Sequence, residues 1–231
     1  MLYYILRYTI TPLARLLFRV KIYGKENLPQ KGVYILASNH NDNSDPVFLS
    51  MLTHKRTCFL AKHELLLPPN KIRVIIRNVR KYLVFIEVGK GKSKTAVAQA
   101  VKLLKNGFLF SIFPEGTTKG KENILQAHRG VARIALKARV PVVPVAIIGN
   151  EYTYQGKDVL PRRIPKVILN IGKPIWFEKY YQDYNDRKIT KKLADEVMEE
   201  IKKLYYQYYK PNKNLIRHQE RYMKNKKKGD K

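Results

Sequence analysis

The sequence predicts an α/β protein: a single layered domain with a mostly parallel central sheet flanked by helices, preceded by N-terminal amphipathic helices. Three observations carry this expectation. Short, almost continuous apolar runs alternate with segments of helical periodicity, the pattern of strands covered on both faces by crossover helices. The runs end in polar loops marked by glycine or proline. The 231 residues, 45% of them hydrophobic, suffice for one sizeable core, with no internal repeat and no second domain visible.

Residues 1–23 form a segment of their own. Apolar and aromatic side chains dominate it, and Arg7, Arg15, Arg19 and Lys21 are its only charges. At about 100° per residue the three arginines fall within an arc of about 120°. Thr11-Pro12 reads as a helix restart, threonine as cap and proline in the first turn. One or two short amphipathic helices are expected, lying in a membrane interface or docked on the domain core.

Residues 32–38 are a nearly continuous apolar run and predict a buried strand. Residues 46–53 predict a helix, with Ser44 or Asp45 as cap and Pro46 in the first turn. Residues 58–61 and 82–88 are further apolar stretches, the second a strand followed by a glycine-lysine turn at 89–92. Residues 93–106 predict a helix, with Ser93 as cap, Ala96, Val97, Ala100, Val101 and Leu104 on one face, and Gly107 ending it. Strands are expected at 108–113, 140–148 and 167–171, and helices at 128–139 and 190–204. Residues 210–231 hold nine Lys/Arg against two acids and read as a disordered basic tail.

Lys and Arg number 46 against 18 Asp and Glu, a net charge of +28. Such a surface seeks polyanions: nucleic acid, an anionic membrane or phosphorylated substrates. The single cysteine, Cys58, excludes an intramolecular disulfide and a cysteine metal cluster. The start lacks a signal-peptide cleavage pattern, and no uninterrupted apolar run of about 18 residues predicts a spanning helix.

Two strand-end loops carry catalytic residue types, and ligands gather at such ends in α/β sheets. The first is Asn39-His40-Asn41-Asp42-Asn43-Ser44-Asp45-Pro46. Histidine is the side chain whose unperturbed pKa lies closest to neutral pH. A carboxylate on its other ring nitrogen fixes the tautomer and stabilises the imidazolium. On a regular helix a step of five separates two side chains by about 140°, so the pair needs a loop that folds back. Taken singly, His40 also reads as a polar strand end and Asp45 as a helix cap. The second loop, Phe113-Pro114-Glu115-Gly116-Thr117-Thr118-Lys119-Gly120, also reads as an ordinary turn. No Gly-x-Ser-x-Gly elbow is present, which points to a substrate that brings its own nucleophile.

Five blocks, in order, resemble the glycerolipid acyltransferase family, closest to its bacterial 1-acyl-glycerol-3-phosphate acyltransferases. They are Asn39-His40-(four residues)-Asp45-Pro46, Lys62-His63-Glu64-Leu65, Phe85-Ile86-Glu87, Phe113-Pro114-Glu115-Gly116-Thr117 and Val140-Pro141-Val142-Val143-Pro144-Val145. The resemblance implies an acyltransferase domain over 24–209. In it His40 is the general base and Asp45 its orienting partner. His40 takes the proton from the free hydroxyl of a lysophospholipid, whose oxygen attacks the thioester of acyl-CoA or acyl-carrier protein; the product is phosphatidic acid. General-base help of this kind is worth about 10²–10⁴-fold. No cofactor or metal is implied beyond the acyl donor as co-substrate. Glu115, Gly116 and Thr117 belong to the acceptor site, with Lys62 beside it, and the proline-containing block is structural or lines the acyl path. The amphipathic start matches a membrane-docking element, which implies a peripheral or monotopic protein on the cytoplasmic face of the cell membrane.

Two positions depart from the pattern. Val88 and Thr118 stand where the family usually carries arginine, the fork-shaped partner of a phosphate. Lys62 and Lys119 are the expected replacements, and a lysolipid with another head group is the alternative acceptor. A nucleic-acid-binding protein, a hydrolase using His40 and a non-catalytic lipid-binding protein are the rival classes. No recognised nucleic-acid module supports the first.

Overall fold

Seven strands form one sheet in the order β1-β7-β6-β2-β5-β3-β4. The structure, a computed structural model, describes residues 8, 11, 12, 15–41, 44–55, 57–62, 84–88, 93–116, 126–150 and 166–209. The strands are β1 (Lys21–Tyr23), β2 (Ile35–Ser38), β3 (Thr57–Lys62), β4 (Val84–Val88), β5 (Leu109–Ile112), β6 (Val142–Ile148) and β7 (Ile168–Ile171). The longer helices are α1 (Asp45–Ser50), α2 (Ser93–Lys105), α3 (Gly130–Ala138) and α4 (Arg187–Tyr208). All neighbouring pairs are parallel except β6 with β7. The mostly parallel α/β sheet read from the sequence is therefore the fold.

Two layers of side chains cover the sheet, and strand alternation sorts them. Ile35, Ala37, Phe110, Ile112 and Val142 face a core shared with α2, α3 and α4. Tyr34, Leu36, Leu109, Val143, Val145 and Ile147 face the opposite core, closed by Phe48, Leu49, Met51 and Leu52 in and after α1. Successive strand residues point to opposite faces, so two buried faces require the unbroken apolar runs seen in the sequence. Every residue of β2, β5 and β6 is buried.

Pro144 sits inside the seven-residue β6, where a missing N–H normally breaks a ladder. Backbone N–H groups alternate sides, and two bonds fix the phase. Val142 N–H donates to Ile175 O at 3.0 Å on the β7 side, whereas Ile147 N–H donates to Asn39 Oδ1 on the β2 side. The Pro144 nitrogen thus faces the β7 side, where β7 has already ended at Ile171. There the Pro144 carbonyl still accepts from Gly172 N–H at 2.9 Å.

Differences from the sequence reading lie at the edges. The segment expected to be helical up to Tyr23 gives its last three residues to the sheet, as β1 paired with β7. Three residues on an edge strand carry too little alternation to announce themselves. Before it, residues 8, 11, 12 and 15–17 are helical. A one-turn 3-10 helix at Lys25–Asn27 and another over Glu178–Asp183 also had no sequence signal. Helix α4 extends beyond the expected 190–204 at both ends, its start capped by Asp186, whose carboxylate accepts from Ile189 N–H at 2.8 Å. The expected turn at 89–92 and the basic tail 210–231 lie outside the described residues.

Candidate active site

Three adjacent strands, β6, β2 and β5, deliver the site. They run parallel, so the loops leaving them open on one end of the sheet. His40 follows β2, Glu115 follows β5 and Asn150 follows β6. The β2–β5 register pairs Ala37 with Ile112. Three residues further on, His40 stands level with Glu115, and its N–H donates to Glu115 Oε1 at 2.9 Å. Glu115 itself is buried.

Asn39 prolongs the β2–β6 ladder with its side chain. Its Nδ2 donates to Ile147 O at 2.8 Å, and its Oδ1 accepts from Ile147 N–H at 2.8 Å. Backbone pairing ends at Ser38 with Val145, so the amide side chain replaces the next rung and holds the start of the His40 loop.

The loop folds back as the pair requires. His40 Nδ1 lies 2.8 Å from Asp45 Oδ2. The imidazole stacks on Phe113, with ring centroids 3.9 Å apart and planes 11° from parallel. The Asp45 side chain is wholly buried and that of His40 retains 13% exposure, enough for the ring edge to meet a substrate. Asp45 Oδ2 also accepts from Asn41 N–H at 2.8 Å, and Oδ1 accepts from Asn150 Nδ2. With N–H donors on both oxygens the carboxylate acts as acceptor. The bonding pattern therefore puts the proton of a neutral imidazole on Nδ1 and the lone pair on Nε2. The helix-cap reading of Asp45 does not hold. Asp45 is the first residue of α1, with Ser44 in the cap position, and its carboxylate serves His40.

The block after β5 turns tightly. Gly116 N–H donates to Phe113 O at 3.0 Å, and His128 N–H donates to Pro114 O at 2.8 Å. Gly116 has φ +68°, and a Cβ there would meet His128 Cδ2 at 2.8 Å. A left-handed backbone and a ring in the side-chain position both demand glycine. Lys62 closes β3; the register pairing Phe59 with Ser111 sets it level with Pro114, on the same end of the sheet. Thr117 and Lys119 lie outside the described residues. Among the described residues no group of three or more His, Cys, Asp or Glu could hold a metal ion.

An imidazole oriented by a buried carboxylate is equipped to take a proton from a hydroxyl. The sequence model of the family described as Acyltransferase matches residues 19–148, more than half of the chain. The chain belongs to the acyltransferase family. A 1-acyl-sn-glycerol-3-phosphate acyltransferase of Bacillus subtilis is 30% identical to it over 158 residues, covering 68% of this chain and 73% of that protein. A probable 1-acyl-sn-glycerol-3-phosphate acyltransferase of Mycoplasma pneumoniae is 27% identical over 197 residues, covering 82% and 72%. The crystal structure of the 1-acyl-sn-glycerophosphate acyltransferase PlsC from Thermotoga maritima superposes with a TM-score of 0.61 at 27% identity, covering 87% of this chain and 81% of that one. This acyltransferase is thus an enzyme of the O-acyl-transferring type. Its site brings His40, Asp45, Glu115 and Gly116 together, with Lys62 at the same sheet end. Sequence reasoning missed Asn150, Phe113 as the stacking partner and His128. A polar residue directly after the apolar run of β6 was the available signal for Asn150, since it marks a third strand end.

Proposed function

We propose that this acyltransferase moves an acyl group from a thioester donor, acyl-CoA or acyl-carrier protein, to the free hydroxyl of 1-acyl-glycerol-3-phosphate, giving phosphatidic acid for phospholipid biosynthesis. The observation that carries the reading is the His40–Asp45 pair, with Nδ1 bonded to a buried carboxylate at 2.8 Å. The acceptor follows from the names of the relatives. In the proposed step, Nε2 takes the hydroxyl proton as the acceptor oxygen bonds to the thioester carbonyl carbon. The tetrahedral intermediate then expels the thiolate, which recovers the proton from the imidazolium. Ester and thiol are the products, and no acyl-enzyme is needed because the donor is already activated. The acceptor phosphate is assigned to Lys62 and Lys119, which bind it as point charges where Val88 and Thr118 replace arginine.

The test is purified enzyme with labelled acyl-CoA and acyl-carrier protein against lysolipids of different head groups. Lysophosphatidate is expected to be the best acceptor, and equal rates on all head groups would sink that choice. Lys119→Ala is expected to raise the KM for lysophosphatidate roughly tenfold, the size of one lost charge-assisted hydrogen bond. An unchanged KM removes Lys119 from the site.

The reading includes attachment to the membrane surface from the cytoplasmic side. No helix among the described residues is long and apolar enough to cross a membrane. Leu16 is 76% exposed and Tyr8 66%, beside the exposed Arg15 and Arg19. This segment feeds β1, which runs parallel to β7, while β7 runs antiparallel to β6. Hence β1 begins at the end of the sheet where β6 delivers Asn150, and the exposed apolar residues flank the catalytic end. Basic residues near an anionic surface contribute about 1 kcal/mol each. Removal of residues 1–17, which leaves β1 whole, is expected to abolish co-sedimentation with phosphatidylglycerol vesicles; unchanged pelleting rules the anchor out.

A further inference from the structure

Asn150 closes the site from the third strand and belongs to none of the sequence blocks that carry the family resemblance; it also lies beyond the matched stretch 19–148. Its position is built, not incidental. Gly149 before it has φ +94°, and a Cβ there would collide with the Lys166 carbonyl. Two residues earlier, Ile147 is clamped through both its N–H and its C=O by Asn39. The strand end is therefore fixed just before the point where Asn150 turns inward.

The Asn150 side chain is completely buried. Its Nδ2 donates to Asp45 Oδ1 across 105 residues of sequence, and its Oδ1 accepts from Asn41 Nδ2 at 3.3 Å. Asn41 in turn gives its backbone N–H to the other Asp45 oxygen. Together the two asparagines hold both carboxylate oxygens: Asn150 holds Oδ1, and Asn41 holds the Oδ2 that also meets His40. A carboxylate held at one oxygen can pivot; one held at both presents Oδ2 to Nδ1 in a fixed plane.

We infer that Asn150 is a positioning residue of the acyl transfer, locking Asp45 so that His40 keeps its proton on Nδ1 and offers Nε2 to the acceptor hydroxyl. The inference rests on His40 being the base. Supporting partners of this kind, where measured around metal-bound histidines, are worth on the order of 10–100-fold.

The experiment uses full-length Asn150→Ala and Asn150→Asp beside wild type and His40→Ala. Asn150→Asp keeps the size of the side chain but replaces the N–H donor with an acceptor. Acyl transfer to lysophosphatidate is measured together with the proton NMR resonance of the His40 Nδ1–H. The expected result is a fall in kcat of roughly 10–100-fold in both variants, with the acceptor KM held and the ring resonance displaced. Wild-type kcat, or a lowered kcat with the resonance in its wild-type place, overturns the inference. If Asn150→Ala fails to fold, Asn150→Asp carries the same comparison. His40→Ala separates the two readings. Activity surviving His40→Ala defeats the general base itself, whereas an inactive His40→Ala beside a fully active Asn150→Ala defeats only the role of Asn150.

Discussion

His40→Ala is expected to lower kcat by at least the roughly 10²–10⁴-fold that a positioned general base supplies, while the protein stays folded. The two halves of this expectation come from different atoms. The imidazole makes the bond to Asp45 and the stack on Phe113, so its removal deletes the proton acceptor. The backbone N–H makes the bond to Glu115, and alanine retains it, so the link between the loops after β2 and β5 survives. The ring is also partly exposed, which limits the cavity left behind. Turnover in detergent micelles and the unfolding midpoint measure the two halves separately. More than a tenth of wild-type kcat in the variant would exclude His40 as the base.

Asp45→Asn should fail differently. The shape is preserved, but an amide presents N–H where Asn41, Asn150 or His40 already donates. One of the Asp45 contacts must then set donor against donor in a fully buried place. If the amide nitrogen faces His40, the ring gives up the Nδ1–H tautomer and Nε2 no longer carries the lone pair. A loss of kcat on the order of 10⁴-fold is expected, the scale known for the same exchange in a serine protease triad. Unlike His40→Ala, this variant should also lose stability, by about 1–3 kcal/mol for an unsatisfied buried donor. A denaturant midpoint equal to wild type would mean that the Asp45 network relaxes freely.

The strands β2, β5 and β6 were legible because both their faces are buried, which leaves an apolar run with no polar alternation. Helix α2 was legible because Ser93 and Gly107 mark its ends, and Gly107 takes φ +82° as such a stop requires. The dyad was legible as a spacing that only a folded-back loop can satisfy. Long-range pairing was not. Nothing local joins Asn150 to Asp45 or Glu115 to the His40 backbone, because these bonds exist only once three strands lie side by side. Strand β1 escaped for a related reason: Lys21-Ile22-Tyr23 alternates exposed and half-buried residues over three positions only, and its partner strand begins at Ile168.

The single antiparallel strand also dictates how the enzyme can be handled. With β7 reversed, the chain enters the sheet beside the catalytic end. Tyr23 stands level with Ala146 through Asn170 and stacks on Tyr208 with ring centroids 4.6 Å apart, while Tyr205, Tyr208 and Tyr209 pack with Ile148 and Ile168, so α4 finishes at that same end of the sheet. An affinity handle or fluorescent fusion appended directly after α4 is thus held at the sheet end that carries Asn150. One placed directly before β1 stands at that end as well.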